Sequence, residues 1–229
     1  MDIAFFFDMD GVLFDSMPLH AASWEETMLA HGLPFTKADC FRNEGRTGQD
    51  VIHEAILMYE NREATEDEIW DIYEQKTQAF HRMGGAQPMK DVVEVLRYLR
   101  KLHAQIWVVT GSGQATLFTR LNEQIGPFFE RERMITAYDV THGKPDPEPY
   151  LIAWDRSRLP KKDCYVIENA PLGVRSGKAA GLTVFAVNTG PLPDEDLQQE
   201  GADMVLPDML SLLEVLRQRF PLPKREKTW

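Results

Sequence analysis

Four short polar groups stand beside apolar runs of this chain. Asp8-Met9-Asp10-Gly11 follows the run at 3–7, and Thr110-Gly111-Ser112-Gly113 follows the run at 106–109. Glu168-Asn169-Ala170-Pro171 follows 165–167, and Gly143-Lys144-Pro145-Asp146-Pro147 precedes a helical pattern at 147–158. Asp8, Asp10 and Glu168 are acids that repel one another in a shared crevice and raise each other's pKa unless a cation joins them. Oxygen ligands with retained water suit Mg²⁺. Asn169 adds a neutral carbonyl oxygen, Thr110 and Ser112 add hydroxyls, the Gly111 turn offers backbone N–H groups for phosphate oxygens, and Lys144 is a point positive charge. A carboxylate nucleophile, hydroxyl donors, a lysine and Mg²⁺ make a site for phosphoryl transfer. Singly these groups are ordinary. Asp-x-Asp-Gly occurs in turns, Thr-Gly-Ser-Gly in strand-to-helix loops, Glu168 could simply cap a helix, and Asp146 with Pro147 reads as an N-cap and first helical position. Their order, each at a strand end, carries the chemistry.

Those groups need elements to bring them together. The short continuous apolar run at 3–7 reads as a strand buried on both faces of a parallel sheet, as does 106–109. Weaker members of the same set lie at 134–136, 165–167, 184–187 and 204–206. Val92, Val95, Leu96, Leu99 and Leu102 follow the spacing of one buried helical stripe, Leu117, Leu121 and Ile125 another, and Leu210, Leu213, Val215 and Leu216 a last one. From residue 90 onward strand and helix alternate, which predicts an α/β fold with a doubly wound parallel sheet. In such a sheet ligands bind outside the carboxyl ends of the strands, so the four groups can share one crevice.

The stretch 17–83 breaks the alternation and reads as helices at 21–31, 37–42, 49–59 and 65–82, with Trp24, Met28, Ile52, Ile56, Ile69, Ile72 and Tyr73 as their core. It is an α-helical insert after the first strand, with Gly84-Gly85 and Pro88 as the return hinge. Trp70 is assigned with Trp24 to the core of this insert, and the acidic run 60–71 to a solvated helix face. The tail 221–229 is expected to fray.

With 25 Lys+Arg against 36 Asp+Glu, the 229-residue chain carries a net charge of −11, which argues against binding nucleic acid through its phosphates. Its 43% hydrophobic content supports a sizeable core. Cys40 and Cys164 are too few for a disulfide framework and fit a reducing cytosol as small buried groups. No apolar run approaches the roughly 20 residues of a membrane span. The start lacks a basic region, and the run at 3–7 is too short for a signal peptide. A cytoplasmic monomer acting on a small phosphorylated substrate, with neither nucleic acid nor membrane as partner, is expected.

The motifs resemble those of the haloacid dehalogenase superfamily of phosphotransferases over nearly the whole chain. The resemblance implies a Rossmann-like core at 1–15 and 85–229, with a helical cap at 16–84 that closes over the site and chooses the substrate. It makes Asp8 the nucleophile that forms an aspartyl-phosphate, and Asp10 the acid that protonates the leaving group and then activates water. It places Thr110 on the transferring phosphoryl group and Lys144 against Asp8. Mg²⁺ would be held by Asp8, the Asp10 backbone carbonyl, Glu168 and Asn169; the family often has Asp where Asn169 stands. Gly111, Ser112, Gln114, His20, Glu44, Arg46 and Lys76 complete the expected substrate contacts.

The cap is most similar to that of the β-phosphoglucomutase-like subgroup. There the mutase loop carries an arginine two residues after Arg46, where this chain has Gly48, and Glu44 adds a carboxylate. The loop Glu44-Gly45-Arg46-Thr47-Gly48, with Glu168-Asn169-Ala170-Pro171-Leu172-Gly173-Val174, is more like an inorganic-pyrophosphatase branch, in which the loop glutamate is implicated in metal coordination. The expected activity is therefore Mg²⁺-dependent hydrolysis of a small phosphate, pyrophosphate included. A sugar-phosphate mutase and a non-catalytic phosphate-binding protein stand as alternatives. Several residues keep two readings: His20 as hinge or phosphate group or as a helix-start histidine facing water, Lys76 and Arg46 as substrate contacts or solvated cations, and Gln114 as substrate contact or helix-start packing.

Overall fold

The computed structural model of the protein describes residues 2–113 and 117–222. It begins with β1 (Ala4–Phe7) and β2 (Phe14–Asp15), followed by four helices, α1 (Met17–Ala30), α2 (Lys37–Arg42), α3 (Gly48–Glu60) and α4 (Glu66–Arg82). Then come β3 (Gln87–Pro88), α5 (Val92–Lys101), β4 (Gln105–Val109), α6 (Leu117–Gln124), β5 (Met134–Ile135) and α7 (Glu148–Ser157). The chain closes with β6 (Cys164–Glu168), α8 (Pro171–Ala179), β7 (Thr183–Val187), α9 (Asp194–Gln199), β8 (Met204–Leu206) and α10 (Met209–Arg219).

Six strands form one sheet in the order β5-β4-β1-β6-β7-β8, and every pairing is parallel. Strand residues alternate between two cores because successive side chains point to opposite faces. Phe5, Phe7, Ile106, Val108 and Ile167 pack against α5, α6 and α10. Ala4, Phe6, Trp107, Val109 and Val166 pack against α7, α8 and α9. Both faces are covered, which is why these strands read as continuous apolar runs rather than alternating ones. After β1 the chain lays β4 and β5 on one side, then crosses to build β6, β7 and β8 on the other. The carboxyl ends of β1, β4 and β6 therefore flank the point where the winding reverses, the place where such sheets bind ligands.

The helices of the insert surround a third core of Met17, Trp24, Met28, Ile52, Ile56 and Ile72, with Ile69 and Tyr73 packed at its edge. Reciprocal capping boxes, Thr36 with Asp39 and Thr65 with Glu68, start α2 and α4. The strands β2 and β3, absent from the sequence reading, pair antiparallel with Phe14 opposite Pro88 and Asp15 opposite Gln87. The Met89 N–H donates to the Leu13 carbonyl at 2.9 Å and extends this clasp.

Three expectations need correction. Trp70 is 68% exposed rather than core; the buried stripe of α4 runs through Ile72, Lys76, Ala79 and Phe80, and Trp70 points away from it. Leu210 is likewise exposed, because α10 buries Met209, Leu212, Leu213 and Leu216. The α7 helix opens at Glu148 with Pro147 in the capping position, so Asp146 sits one residue outside and still accepts the Glu148 N–H at 2.8 Å. Among the described residues no helix is long and apolar enough to cross a membrane.

Candidate active site

At the end of β1, Asp8 is 5% exposed and its backbone N–H is tied to the Ile167 carbonyl at 2.9 Å. Lys144, from the loop before α7, reaches under it. Its Nζ donates to Asp8 Oδ1 at 2.5 Å, to Glu168 Oε1 at 2.6 Å and to the Val109 carbonyl at 3.0 Å. One ammonium thus joins the ends of β1, β4 and β6. Tyr150 on α7, fully buried, donates its hydroxyl to the same Glu168 Oε1 at 2.6 Å, and the Asn169 N–H faces Oε2 at 3.2 Å. Thr110, just past β4, is buried and accepts the Ser112 N–H at 3.1 Å. The four sequence groups therefore meet at one rim.

Asp10 points to the other side. Ser16 donates to its Oδ1 at 2.5 Å, and His20 Nε2 lies 3.2 Å from the same oxygen. Lys76, only 5% exposed, places its Nζ 2.7 Å from His20 Nδ1 and 5.0 Å above the Trp24 ring. The ammonium is an obligate donor, so Nδ1 accepts and Nε2 carries the proton given to Asp10. Burial, then the Lys76 charge, lower the pKa of His20, which fits this neutral form. Burial alone would raise Asp10, but His20, Ser16 and Arg120 together hold it well below the usual carboxylate range.

The loop between α2 and α3 closes over this rim. Glu44 is 9% exposed and its Oε1 accepts from Asn169 Nδ2 at 2.6 Å. Gly11, at φ +83°, makes the space for that contact, since a Cβ there would stand 2.1 Å from Asn169 Nδ2 and 2.9 Å from Glu44 Oε1. A Cβ on Gly111 would lie 2.7 Å from the Arg46 carbonyl oxygen, so the insert loop rests directly on the loop after β4. Between them lies a cavity of ≈ 80 Å³. Asp8, Asp10, Thr110, Gly111 and Ser112 form its floor, and His20, Glu44, Arg46 and Lys76 line its wall with Met17, Trp24, Cys40, Val51 and Tyr73. Every sequence-selected substrate residue except Gln114 lines it; Gln114 lies outside the described residues.

The charge of this rim is out of balance. Burial, with Glu168 and Asp10 behind it, pushes Asp8 up to about 8 against the pull of Lys144. Burial also raises Glu44 well above its ordinary value; the Asn169 bond opposes this, and Asp8, Glu168 and Asp10 add to it. Burial opposes the charge on Lys144, but Asp8 and Glu168 outweigh it and hold the ammonium above its ordinary pKa. Asn169 Oδ1 is buried with no hydrogen-bond partner among the described residues. Among those residues no three acidic, histidine or cysteine side chains are already gathered as a metal cluster. A hard divalent cation nevertheless fits here: crowded carboxylate oxygens carry excess negative charge, and a neutral amide oxygen is left without a donor. Asp8, the Asp10 carbonyl and Asn169 are the groups that suit it. Glu168 is largely occupied by Lys144, Tyr150 and the Asn169 N–H.

Sequence reasoning missed Tyr150, Ser16 and the part that Trp24 and Tyr73 take in the cavity wall. Ser16 lies inside the first motif, six residues beyond Asp10. Tyr150 carries a weaker signal, a tyrosine in the buried first turn after Lys144, whose hydroxyl must find a partner.

A switch-point crevice with paired aspartates, a hydroxyl, a lysine and an acid-amide pair defines a phosphoryl-transfer enzyme. Residues 4–181 match the model of the haloacid dehalogenase-like hydrolase family, and the chain belongs to that family and is an enzyme of its phosphatase class. It is 42% identical to a Bacteroides vulgatus protein described as a candidate beta-phosphoglucomutase, with a TM-score of 0.91 over 96% of this chain and 90% of that one. It is 29% identical to hexitol phosphatase A of Escherichia coli, over 88% of this chain and 89% of the relative. It is 28% identical to N-acetylmuramic acid 6-phosphate phosphatase of Pseudomonas aeruginosa, over 93% and 94% respectively.

Proposed function

We propose that the protein is a Mg²⁺-dependent phosphomonoesterase that works through an aspartyl-phosphate on Asp8, with residues 16–84 as a substrate-selecting cap. The observation that carries this reading is Lys144, one buried cation holding Glu168 and Asp8, the latter lining the cavity floor with Thr110. Asp8 attacks phosphorus in line, and Thr110, Ser112 and the Gly111 backbone receive the phosphoryl oxygens. Asp10 stands ionised in the resting site and is ready as the base for water. In its acid role Asp10 gives the leaving oxygen the proton it took from water in the hydrolysis step of the preceding turnover, and the His20 Nε2–H orients the carboxylate between the two steps. Glu168 and Tyr150 keep Lys144 in place. Mg²⁺ on Asp8, the Asp10 carbonyl and Asn169 would supply charge neutralisation between the anionic nucleophile and the phosphate.

The cavity wall favours a leaving group with a carbon body, because Met17, Cys40, Val51 and the rings of Trp24 and Tyr73 present mainly apolar surface, which a bare diphosphate cannot use. Phosphorylated sugars and polyols, which the names of the hexitol and N-acetylmuramic acid phosphatases carry, fit that wall. The inward carboxylate of Glu44 supports pyrophosphate as the second reading. A mutase has its support in the B. vulgatus relative, and Gly48 in place of a loop arginine speaks against it. The intact Asp8, Asp10 and Lys144 speak against a binding protein without catalysis. A monomer in the cytoplasm goes with the phosphatase reading.

Phosphate release with Mg²⁺ from a panel of sugar and polyol phosphates, nucleotides and pyrophosphate tests this. Release from sugar or polyol phosphates, abolished by a chelator, is the expected result. Release from pyrophosphate alone establishes the second reading, and conversion of β-glucose 1-phosphate to glucose 6-phosphate without free phosphate establishes the mutase. No turnover of any substrate by the folded, Mg²⁺-supplied protein overturns all three.

A further inference from the structure

The cap loop and the last cap helix meet at one tight contact. Gly48 opens α3, and a Cβ added there would stand 2.1 Å and 2.4 Å from two carbons of the Tyr73 ring. Any side chain at 48 must displace that ring. Tyr73 lies one turn before Lys76 on α4, and both line the cavity together with Gly48 and Val51. Tyr73 therefore borders the cap loop and the cavity at once.

The neighbouring cation is partly spent. Arg46 Nη1 lies 3.5 Å from Glu54 Oε1, and Arg46 Nε is buried without a hydrogen-bond partner among the described residues. This end of the cavity thus offers an aromatic face and one N–H donor, with the Lys76 ammonium one turn away. Such a surface takes a carbon body and a hydroxyl oxygen, and the ring leaves little depth for a second phosphoryl group beyond them.

We infer that Tyr73 is a specificity-determining residue: its ring, seated on Gly48, sets the depth of the substrate cavity and confines the enzyme to monophosphates whose leaving group ends short of it. The inference rests on the phosphatase reading and adds the group that limits the substrate.

Steady-state kinetics with glycerol 1-phosphate, a hexitol 6-phosphate and a hexose 1,6-bisphosphate, on the full-length protein with Mg²⁺, test it. Tyr73→Ala should raise the kcat/KM ratio of bisphosphate to glycerol 1-phosphate by about tenfold or more. Gly48→Ala, which leaves Tyr73 in the sequence but forces the ring aside, should move the ratio in the same direction. Tyr73→Phe keeps the wall, so it should leave the ratio unchanged. Equal losses across the three substrates in Tyr73→Ala, with unaltered circular dichroism and Tm, overturn the inference while leaving the phosphatase reading intact. An unchanged ratio in Gly48→Ala overturns it too, by a variant that spares Tyr73. Absence of phosphate release by the unmodified enzyme overturns the phosphatase reading, and this inference with it.

Discussion

The sheet and the helical cap hold their site residues in different ways. On the sheet, Asp8, Thr110 and Glu168 sit at strand ends whose neighbours are fixed by parallel ladders on both sides, and Lys144 is locked by three acceptors. Little can move there without breaking buried hydrogen bonds. On the cap, Glu44, Arg46, Tyr73 and Lys76 project from a loop and one helix face, and the loop meets the core where Glu44 accepts from Asn169 and the Arg46 carbonyl rests by Gly111. On the function proposed above, the sheet carries the groups needed for every turnover and the cap those that meet the variable half of a substrate, so bond-making and substrate choice would be divided between two parts held to different degrees.

Substitutions can break or sharpen that division. The largest effect should come from Asp8→Asn, which keeps the shape of the side chain: kcat falls at least about 10⁴-fold while circular dichroism stays the same. Full activity in that variant would sink the nucleophile assignment. Lys144→Ala should follow, with kcat down about 10³-fold and stability down by about 3–5 kcal/mol, because Asp8 and Glu168 are left facing each other without a cation. Thermal denaturation and kinetics check both; a loss of activity with unchanged Tm would show that Lys144 has no part in holding the rim.

Cap groups should instead move KM. Burial pushes Lys76 down to about 8, with Asp10 opposing. A lysine is cationic below its pKa and neutral above it, so KM should rise about tenfold per pH unit beyond pH 8. Lys76→Arg, whose charge persists past pH 12, should flatten that limb. If the lysine variant lowered kcat as deeply as Lys144→Ala, the division between core and cap would not stand. The smallest effect is Tyr150→Phe, which removes the hydroxyl from Glu168: about 1.5–3 kcal/mol of stability and a several-fold drop in kcat at unchanged KM. A rise in KM alone would separate Tyr150 from the Lys144 anchor.

Much of this was legible from the residues. The six strands announce themselves because burial on both faces demands unbroken apolar runs, and the chemical groups follow them directly. The cap helices are legible through the apolar residues that line their shared core. What stayed hidden depends on contacts between distant segments. The pairing of Phe14 with Pro88 covers too few residues to show any period. The inward turn of Glu44 is set by Asn169, 125 positions away. Trp70 and Leu210 show the limit of composition, since a large apolar side chain marks the core only when it falls on the buried stripe. Tyr73 reads as packing and is packing, yet the same ring borders the cavity.

The short clasp of β2 and β3 has one more consequence. Asp15 and Gln87 stand opposite each other across it, so the polypeptide leaves the sheet and re-enters it within one strand spacing, about 5 Å. A segment anchored in this way is topologically a plug-in: it can be shortened, exchanged or removed, and the gap re-joined by a turn, without re-threading any strand of the body that does the bond-making. Evolution can then vary selectivity by replacing the attachment as a whole, and an engineer can graft one in the same way.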